Sequence, residues 1–227
     1  MKKFIFYSCM VLLFGSFSEK SKSVNIIFDT DIAPDYDDVG AMALLHAFED
    51  NGEAKILATI SCNTFETTAP TLSVLNTYFN KPEIPVGVTK GNFPNKDCSQ
   101  QWAQAINAKY PHNIKSNDQA EDAVKLYRKI LSSQPDKSVT IVTVGFFTNL
   151  AGLLNSTADE YSPLNGKELV TKKVKQLVSK SETGRVRLYF DSLHALRIQD
   201  VLKNGVKLEH KHNIHRRWLG EVTREIT

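Results

Sequence analysis

Five aspartates lie within ten positions near the start of the chain, at positions 29, 31, 35, 37 and 38. Carboxylates this crowded repel one another and raise each other's pKa unless a cation neutralises them. Calcium, a hard ion that takes roughly six to eight oxygen ligands, would do so. The alternative is that Asp37 or Asp38 simply caps a following helix. One cap accounts for one aspartate and leaves the others unexplained.

The elements around these aspartates alternate between strands and helices. Strands are predicted at 24–28, 56–61, 84–88 and 138–144. Helices are predicted at 39–48, 67–79, 119–132 and 148–154, with a loop at 92–98. Strands that are apolar throughout and separated by helices indicate an α/β protein with an open, mostly parallel, Rossmann-like sheet covered on both faces. Ligands of such sheets bind beyond the carboxyl ends of the strands, where the aspartates fall.

Two sequence blocks carry a resemblance to a known family. Asp29-Thr-Asp31, followed by Asp37-Asp38, resembles the D-x-D…D-D signature of the inosine-uridine preferring nucleoside hydrolases. The segment 139–150, VTIVTVGFFTNL, is similar to the family's strand that ends in a Gly-Pro-Leu-Thr-Asn turn. Asn63 falls where the family also has an asparagine. The resemblance extends over about 24–178 and implies an N-ribohydrolase, which releases ribose and a free base from a ribonucleoside.

The resemblance implies calcium as the cofactor and three residues that hold it. Asp31 would be a calcium ligand and also the general base for the attacking water. Asp38 would be a second ligand and the main-chain carbonyl of Val144 a third, and ribose hydroxyls would complete the shell. A carboxylate base and a Lewis acid suit attack on an anomeric carbon through an oxocarbenium-like state.

The same resemblance implies three roles around the sugar. Asp37 would hydrogen-bond a ribose hydroxyl, and Asn63 would help to hold the sugar. Asp29 would support the loop from behind.

The chain also departs from the family pattern. Ala33 and Pro34 lie in a loop lengthened by two residues, Asp35 is expected to be an exposed extra carboxylate, and Phe146 replaces a proline. After Val178 the match weakens, and Arg187 stands about where a sugar-binding asparagine is expected. A second hypothesis is therefore a truncated, catalytically impaired relative that keeps only a calcium-binding or sugar-binding half-site. On this basis we expect hydrolysis at least about a thousandfold slower than in a full-length relative.

The two ends of the chain are predicted to lie outside the hydrolase-like domain. Lys2 and Lys3 precede an apolar stretch at 4–17, which is typical of a secretory signal peptide. The apolar stretch is shorter than the roughly 20 residues of a permanent transmembrane helix, although an uncleaved anchor stays open. The predicted organisation is a signal peptide at 1–23, a hydrolase-like domain at 24–204 and a divergent basic tail at 205–227. We therefore predict that the protein is exported and is periplasmic or secreted.

The expected partners are small molecules. The basic excess of the chain lies in residues 165–227, with 14 Lys and Arg against 7 Asp and Glu. This segment lacks the aromatic interleaving expected of a nucleic-acid surface, so we predict a nucleoside or ribosyl ligand, no nucleic acid and no membrane contact beyond the signal segment. His210, His212 and His215 lie among Lys and Arg and are interpreted as an irregular surface tail. A homo-oligomer remains open.

Overall fold

The computed structural model describes residues 23–34, 36–91 and 93–179, together with the backbone of residues 186–188. They form one sheet of seven strands in the order β4-β3-β2-β1-β5-β6-β7. The strands are β1 (Val24–Thr30), β2 (Ala54–Ser61), β3 (Val86–Val88), β4 (Glu121–Asp122), β5 (Val139–Thr143), β6 (Val174–Ser179) and β7 (Val186–Leu188). The first six are parallel, and β7 pairs antiparallel with β6. The predicted open, mostly parallel α/β sheet is confirmed.

Among the described residues, six α-helices flank this sheet. They are α1 (Asp37–Asp50), α2 (Thr68–Tyr78), α3 (Trp102–Lys109), α4 (Ala123–Ser133), α5 (Thr148–Asn155) and α6 (Gly166–Lys173). The buried faces of α1 and α2 pack in one apolar cluster, and those of α4, α5 and α6 pack in another. Consecutive residues of β1 divide between the two clusters, because successive side chains of a strand point to opposite faces. Ile26 and Phe28 belong to the first and Ile27 to the second.

Two local expectations need correction. Asp29 and Thr30 belong to β1 and not to the loop, because Asp29 pairs with Ile60 on β2 and with Thr143 on β5. The single helix predicted at 119–132 is split: a 3-10 turn at Asn117–Gln119 and the short β4 precede α4. The reason is Asp122, whose carboxylate accepts a hydrogen bond from the Lys125 amide at 3.0 Å and starts α4 at the next residue.

Several expectations fall on residues outside the described ranges. They concern the signal peptide, Asp35, the tail at 205–227 with its histidines, and the side chain of Arg187. Within the described part of the chain, no helix combines the length and the apolar character needed to cross a membrane.

Candidate functional site

The aspartate loop and the end of β5 meet at one edge of the sheet. The chain runs outward from β1 through β2, β3 and β4 and then returns to the other side of β1 as β5. The carboxyl ends of β1 and β5 therefore flank the point where the strand order reverses, which is where ligands of such sheets bind. The Val144 amide donates to the main-chain oxygen of Asp29 at 2.9 Å, so the end of β5 is fastened to the end of β1.

Gly145 allows this close approach. A Cβ atom at position 145 would lie 2.4 Å from the Asp31 amide nitrogen, 2.6 Å from the Cys62 sulfur and 2.8 Å from the Asp31 Cβ. No side chain fits there without moving backbone. The structure thus brings Asp31 and the Val144–Gly145 peptide together, as the shared strand-end position predicts.

Asp37 and Asp38 begin α1 but do not cap it. The capping position is Tyr36, which makes no side-chain capping bond, so the capping alternative for Asp37 or Asp38 is wrong. Both lie in the first turn, where negative charge complements the helix dipole. Asp38 is 3% exposed and one of its carboxylate oxygens accepts a hydrogen bond from the Thr30 hydroxyl at 2.8 Å. Asp37 is exposed.

Thr30 holds both sides of the aspartate loop. While its hydroxyl donates to Asp38, the same oxygen accepts from the Ile32 amide at 3.0 Å. The residue is fully buried. The loop carrying Asp31 is therefore fixed at both its beginning and its end by one side chain.

Asp29 lies behind this loop in a buried polar cluster. One of its carboxylate oxygens accepts from the Tyr127 hydroxyl at 2.8 Å and from the Asn149 amide at 3.1 Å. Burial raises the pKa of Asp29 from 3.8 to about 7, and the hydrogen bonds from Tyr127, Asn149 and Cys62 act in the opposite direction. Asp29 thus lies behind the loop, and its supporting role stays a prediction. Tyr127 was not predicted as a site residue.

Cys62 lies between Asp29 and Asp31 as a buried thiol. Its pKa lies well above the ordinary range because burial disfavours the thiolate, and the charges of Asp29 and Asp31 act in the same direction. A thiol held neutral in this way is a poor nucleophile. The chemistry of this edge therefore depends on carboxylates.

Asn63 uses its whole side-chain amide on the main chain. The nitrogen donates to the carbonyls of Asp31 and Lys96 at 3.0 and 2.8 Å, and the oxygen accepts from the amides of Phe65 and Lys96 at 3.1 and 3.0 Å. Asn63 thereby joins the aspartate loop to the loop after β3. Its predicted contact with the sugar stays a prediction, and making it would require one of these bonds to open.

Trp102 is a further residue at this edge. Its indole nitrogen donates to the Ala33 carbonyl at 2.9 Å. Ala33 has a φ of 141°, which a non-glycine residue rarely adopts. The Trp102 ring also contacts Tyr36, with 5.6 Å between ring centroids. Neither contact has a local sequence signal, because both join residues far apart in the chain.

The predicted calcium ligands are all oxygen donors. Asp31 and Asp38 supply carboxylates and Val144 a main-chain carbonyl, which fit a hard divalent cation in chemical type. Among residues 23–179, apart from 35 and 92, no group of three or more His, Cys, Asp and Glu side chains is placed to hold a metal ion. Within the described residues, further ligands would therefore be main-chain carbonyl oxygens, beside those of substrate and solvent.

The fold is an open parallel sheet, and its acidic loop lies at the switch point, the place where the strand order reverses. These two features define the class of α/β proteins whose small ligands bind at that point. Residues 26–171 match the family model described as inosine-uridine preferring nucleoside hydrolase. This match covers well over half of the 227 residues, and the chain belongs to that family. A search of the curated proteins gives no match.

Two solved structures have a similar fold. The crystal structure of the effector protein XOO4466 gives a TM-score of 0.55 at 16% identity, over 82% of this chain and 55% of that one. The type III effector protein XopQ, complexed with adenosine diphosphate ribose, gives a TM-score of 0.52 at 17% identity, over 70% of this chain and 43% of that one. At these identities the likeness concerns the fold alone. The chain spans about half the length of these two proteins.

Proposed function

We propose that this chain hydrolyses the N-glycosidic bond of ribonucleosides with the help of calcium, giving ribose and a free base. Family membership supports N-glycosidic hydrolysis in general. The observation that carries the finer proposal is the contact between Gly145 and Asp31, which joins the two motif-bearing loops at the switch point. The donor types at this edge support calcium, which when bound supplies a Lewis acid that lowers the pKa of water.

Asp31 is the proposed general base. It is half-buried at the mouth of the site, whereas Asp29 and Asp38 are buried and hydrogen-bonded to protein donors. A base has to reach the attacking water, and Asp31 is the carboxylate whose main chain is clamped by both Asn63 and Gly145. These contacts fix the main chain of Asp31 and leave its carboxylate accessible.

Asp37 is the proposed ligand of a ribose hydroxyl. It is exposed at the first turn of α1, next to the buried Asp38. A carboxylate that accepts from a sugar hydroxyl also fixes the orientation of the anomeric carbon, which lowers the entropic part of the barrier.

The substrate class includes ribosyl compounds other than simple nucleosides. XopQ, a protein of similar fold, is complexed with adenosine diphosphate ribose. Its ligand contains a ribosyl group, and this supports testing ribosyl substrates beside inosine and uridine.

The experiment is an assay of ribose release from inosine, uridine and adenosine diphosphate ribose by the full chain with calcium. Release should disappear with a chelator and with Asp31→Asn, which keeps the shape and removes the base. Asp118→Asn is the matched control, because Asp118 is exposed on the 3-10 turn. Release that Asp31→Asn leaves unchanged would refute the proposed mechanism.

A second candidate is a half-site that binds calcium or sugar without turnover. The Asn63 side chain favours impaired turnover, because its amide nitrogen and oxygen are both fully used in hydrogen bonds to the main chain. Calorimetry distinguishes the two. Calcium binding that Asp31→Ala abolishes, combined with no ribose release, would support the half-site.

We also propose that the protein is exported, on the pattern of residues 1–23. Detection of the chain in the periplasm or medium, with loss of export after Lys2 and Lys3 are both changed to Glu, would support this.

A further inference from the structure

An apolar groove of about 360 Å³ lies between α1, α2 and α3. Tyr36 and Val39 line it from the start of α1, Tyr78 from the end of α2, and Trp102 and Ile106 from α3. The described residues that line it are all apolar or aromatic. None of them is a predicted calcium ligand or sugar-binding residue, so this groove is separate from the site between β1 and β5.

Exposed aromatic rings are concentrated here. The described residues include four large exposed hydrophobic side chains, and three of them line this groove: Tyr36 at 52%, Tyr78 at 65% and Tyr110 at 37% exposure. Single exposed apolar residues are ordinary, whereas the largest contiguous apolar patch of a monomer, typically about 300–600 Å², is often functional. The rings form two pairs, Tyr36 with Trp102 at 5.6 Å and Tyr78 with Tyr110 at 6.1 Å between centroids.

We propose that this groove binds a planar, uncharged aromatic ring system of one or two rings. The volume lies at the lower end of the range of about 300–1,000 Å³ for small-molecule sites. Aromatic walls favour an aromatic occupant through offset or edge-to-face contacts. None of the lining residues is charged, so a charged ring would lose its hydration without gaining a charged partner inside the groove. The Lys109 ammonium, 5.5 Å from the centroid of the Tyr110 ring, additionally disfavours a cationic ring.

A second copy of the chain is a less suitable occupant. Full burial of an aromatic side chain covers roughly 150–250 Å², and about half of each of the three tyrosines is already covered, so they offer on the order of 300 Å². A stable protein interface buries about 800 Å² on each partner. The groove therefore matches a small ligand and falls well short of a dimer interface.

The groove adjoins the aspartate loop through Trp102. This residue lines the groove, contacts Tyr36 and donates a hydrogen bond to Ala33. A ring bound beside Trp102 changes the surroundings of its indole, so Trp102 reports occupancy. The proposal does not depend on turnover at the aspartates.

The experiment titrates the full chain with adenine, a two-ring uncharged base, and follows Trp102 fluorescence. The chain has two tryptophans, and Trp218→Phe leaves Trp102 as the single emitter. We expect saturable quenching with a dissociation constant on the order of 0.1–1 mM, the range of small fragments. Cyclohexanol, a non-aromatic control, should cause none.

Variants locate the bound ring. Tyr78→Ala, at an exposed position, should weaken adenine binding at least about tenfold. Phe93→Ala, the exposed aromatic outside the groove, and Asp31→Ala should each change it by less than about twofold. Loss of binding in Asp31→Ala with full binding in Tyr78→Ala would place the ring in the aspartate site and overturn the proposal.

Two other outcomes also overturn it. One is the absence of adenine binding by calorimetry at about 5 mM, roughly fivefold above the upper end of the expected range. The other is a concentration-dependent dimer in sedimentation that Tyr78→Ala dissociates, because a second copy would then occupy the groove.

Discussion

Tyr127 is the residue whose role the sequence conceals most completely. It lies on α4, 98 residues from Asp29, and its buried hydroxyl donates to the Asp29 carboxylate at 2.8 Å. Asn149 reaches the same oxygen from the start of α5 and also donates to the Ser61 carbonyl at 3.1 Å. The back of the site is therefore held by two helices that the aspartate motif does not include.

Removing this hydroxyl should destabilise the protein. Tyr127→Phe leaves the buried Asp29 carboxylate with one donor fewer, which costs about 1–3 kcal/mol of unfolding free energy. Urea denaturation at pH 7 measures the loss. Tyr78→Phe is the control, since that ring is 65% exposed, and it should have no effect. Equal stability of the two variants would contradict the role assigned to Tyr127.

His46 makes stability depend on pH. It is fully buried, its Nε2 lies 3.2 Å from the Asn76 side-chain oxygen, and its ring stacks on Phe79 at 4.7 Å. Burial lowers the pKa of His46 below 6.5. The unfolded chain therefore binds this proton more readily than the folded protein does. The His46 contribution is complete above about pH 6.5 and declines as the pH falls toward the lowered value, by at most about 1.4 kcal/mol per pH unit.

Urea denaturation between pH 7.5 and pH 5 tests this dependence. The slope of unfolding free energy against pH should become more negative in His46→Gln, because Asp29, whose pKa is raised to about 7, destabilises the folded state as the pH rises through the same range. His112→Gln, at an exposed hydrogen bond, should leave the slope unchanged. Identical slopes in His46→Gln and the unchanged protein would mean that His46 is not the group responsible.

At the scale of elements, the junction of β1 and β5 depends on one glycine. Gly145→Ala places a methyl group against the Asp31 amide, and the obstacle is backbone that side-chain rotation cannot relieve. Overpacking of this kind costs typically about 1–3 kcal/mol, and the displaced loop should lose calcium affinity as well.

Gly40→Ala is the matched comparison. Gly40 lies within α1, and a methyl group added there would meet no atom within 4 Å, so alanine should be neutral or stabilise by up to about 1 kcal/mol. Denaturation and calcium calorimetry on both variants measure the contrast. Calcium affinity retained in Gly145→Ala would show that the loop tolerates the shift.

Calcium should stabilise the molecule as a whole. A ligand that binds only the folded state adds RT ln(1 + [L]/Kd), which is about 1.4 kcal/mol at 10 mM calcium for a dissociation constant of about 1 mM. Thermal unfolding with and without calcium measures this shift. Asp31→Ala should abolish it, and magnesium, which demands a stricter octahedral geometry, should give less. A shift that persists in Asp31→Ala would place the ion elsewhere.

Local sequence patterns were sufficient to predict most strands, helices and the acidic loop. They could not predict contacts between residues that are far apart in the chain. The apolar run of β1 followed by Asp29 and Asp31 was sufficient to place the acidic loop at a sheet edge. In contrast, α6 was missed, although its capping box of Asn165 and Glu168 is readable in the sequence. The strand β4 has two residues, which is too short for an alternation of apolar and polar side chains to be recognised. The Trp102 and Tyr127 contacts depend on packing across the fold, which no window of sequence contains.

The strand order also constrains the folding of the chain during synthesis. β1, β2, β3 and β4 all precede β5, so one edge of β1 has no partner until Val139–Thr143 is made. An apolar strand with a free edge is prone to pair with other chains. The closing contact, from Asn149 to Asp29, spans 120 residues, and such distant contacts form slowly. The acidic edge is therefore assembled only after β5 and the start of α5 are made, and until then the central strand β1 is exposed to aggregation.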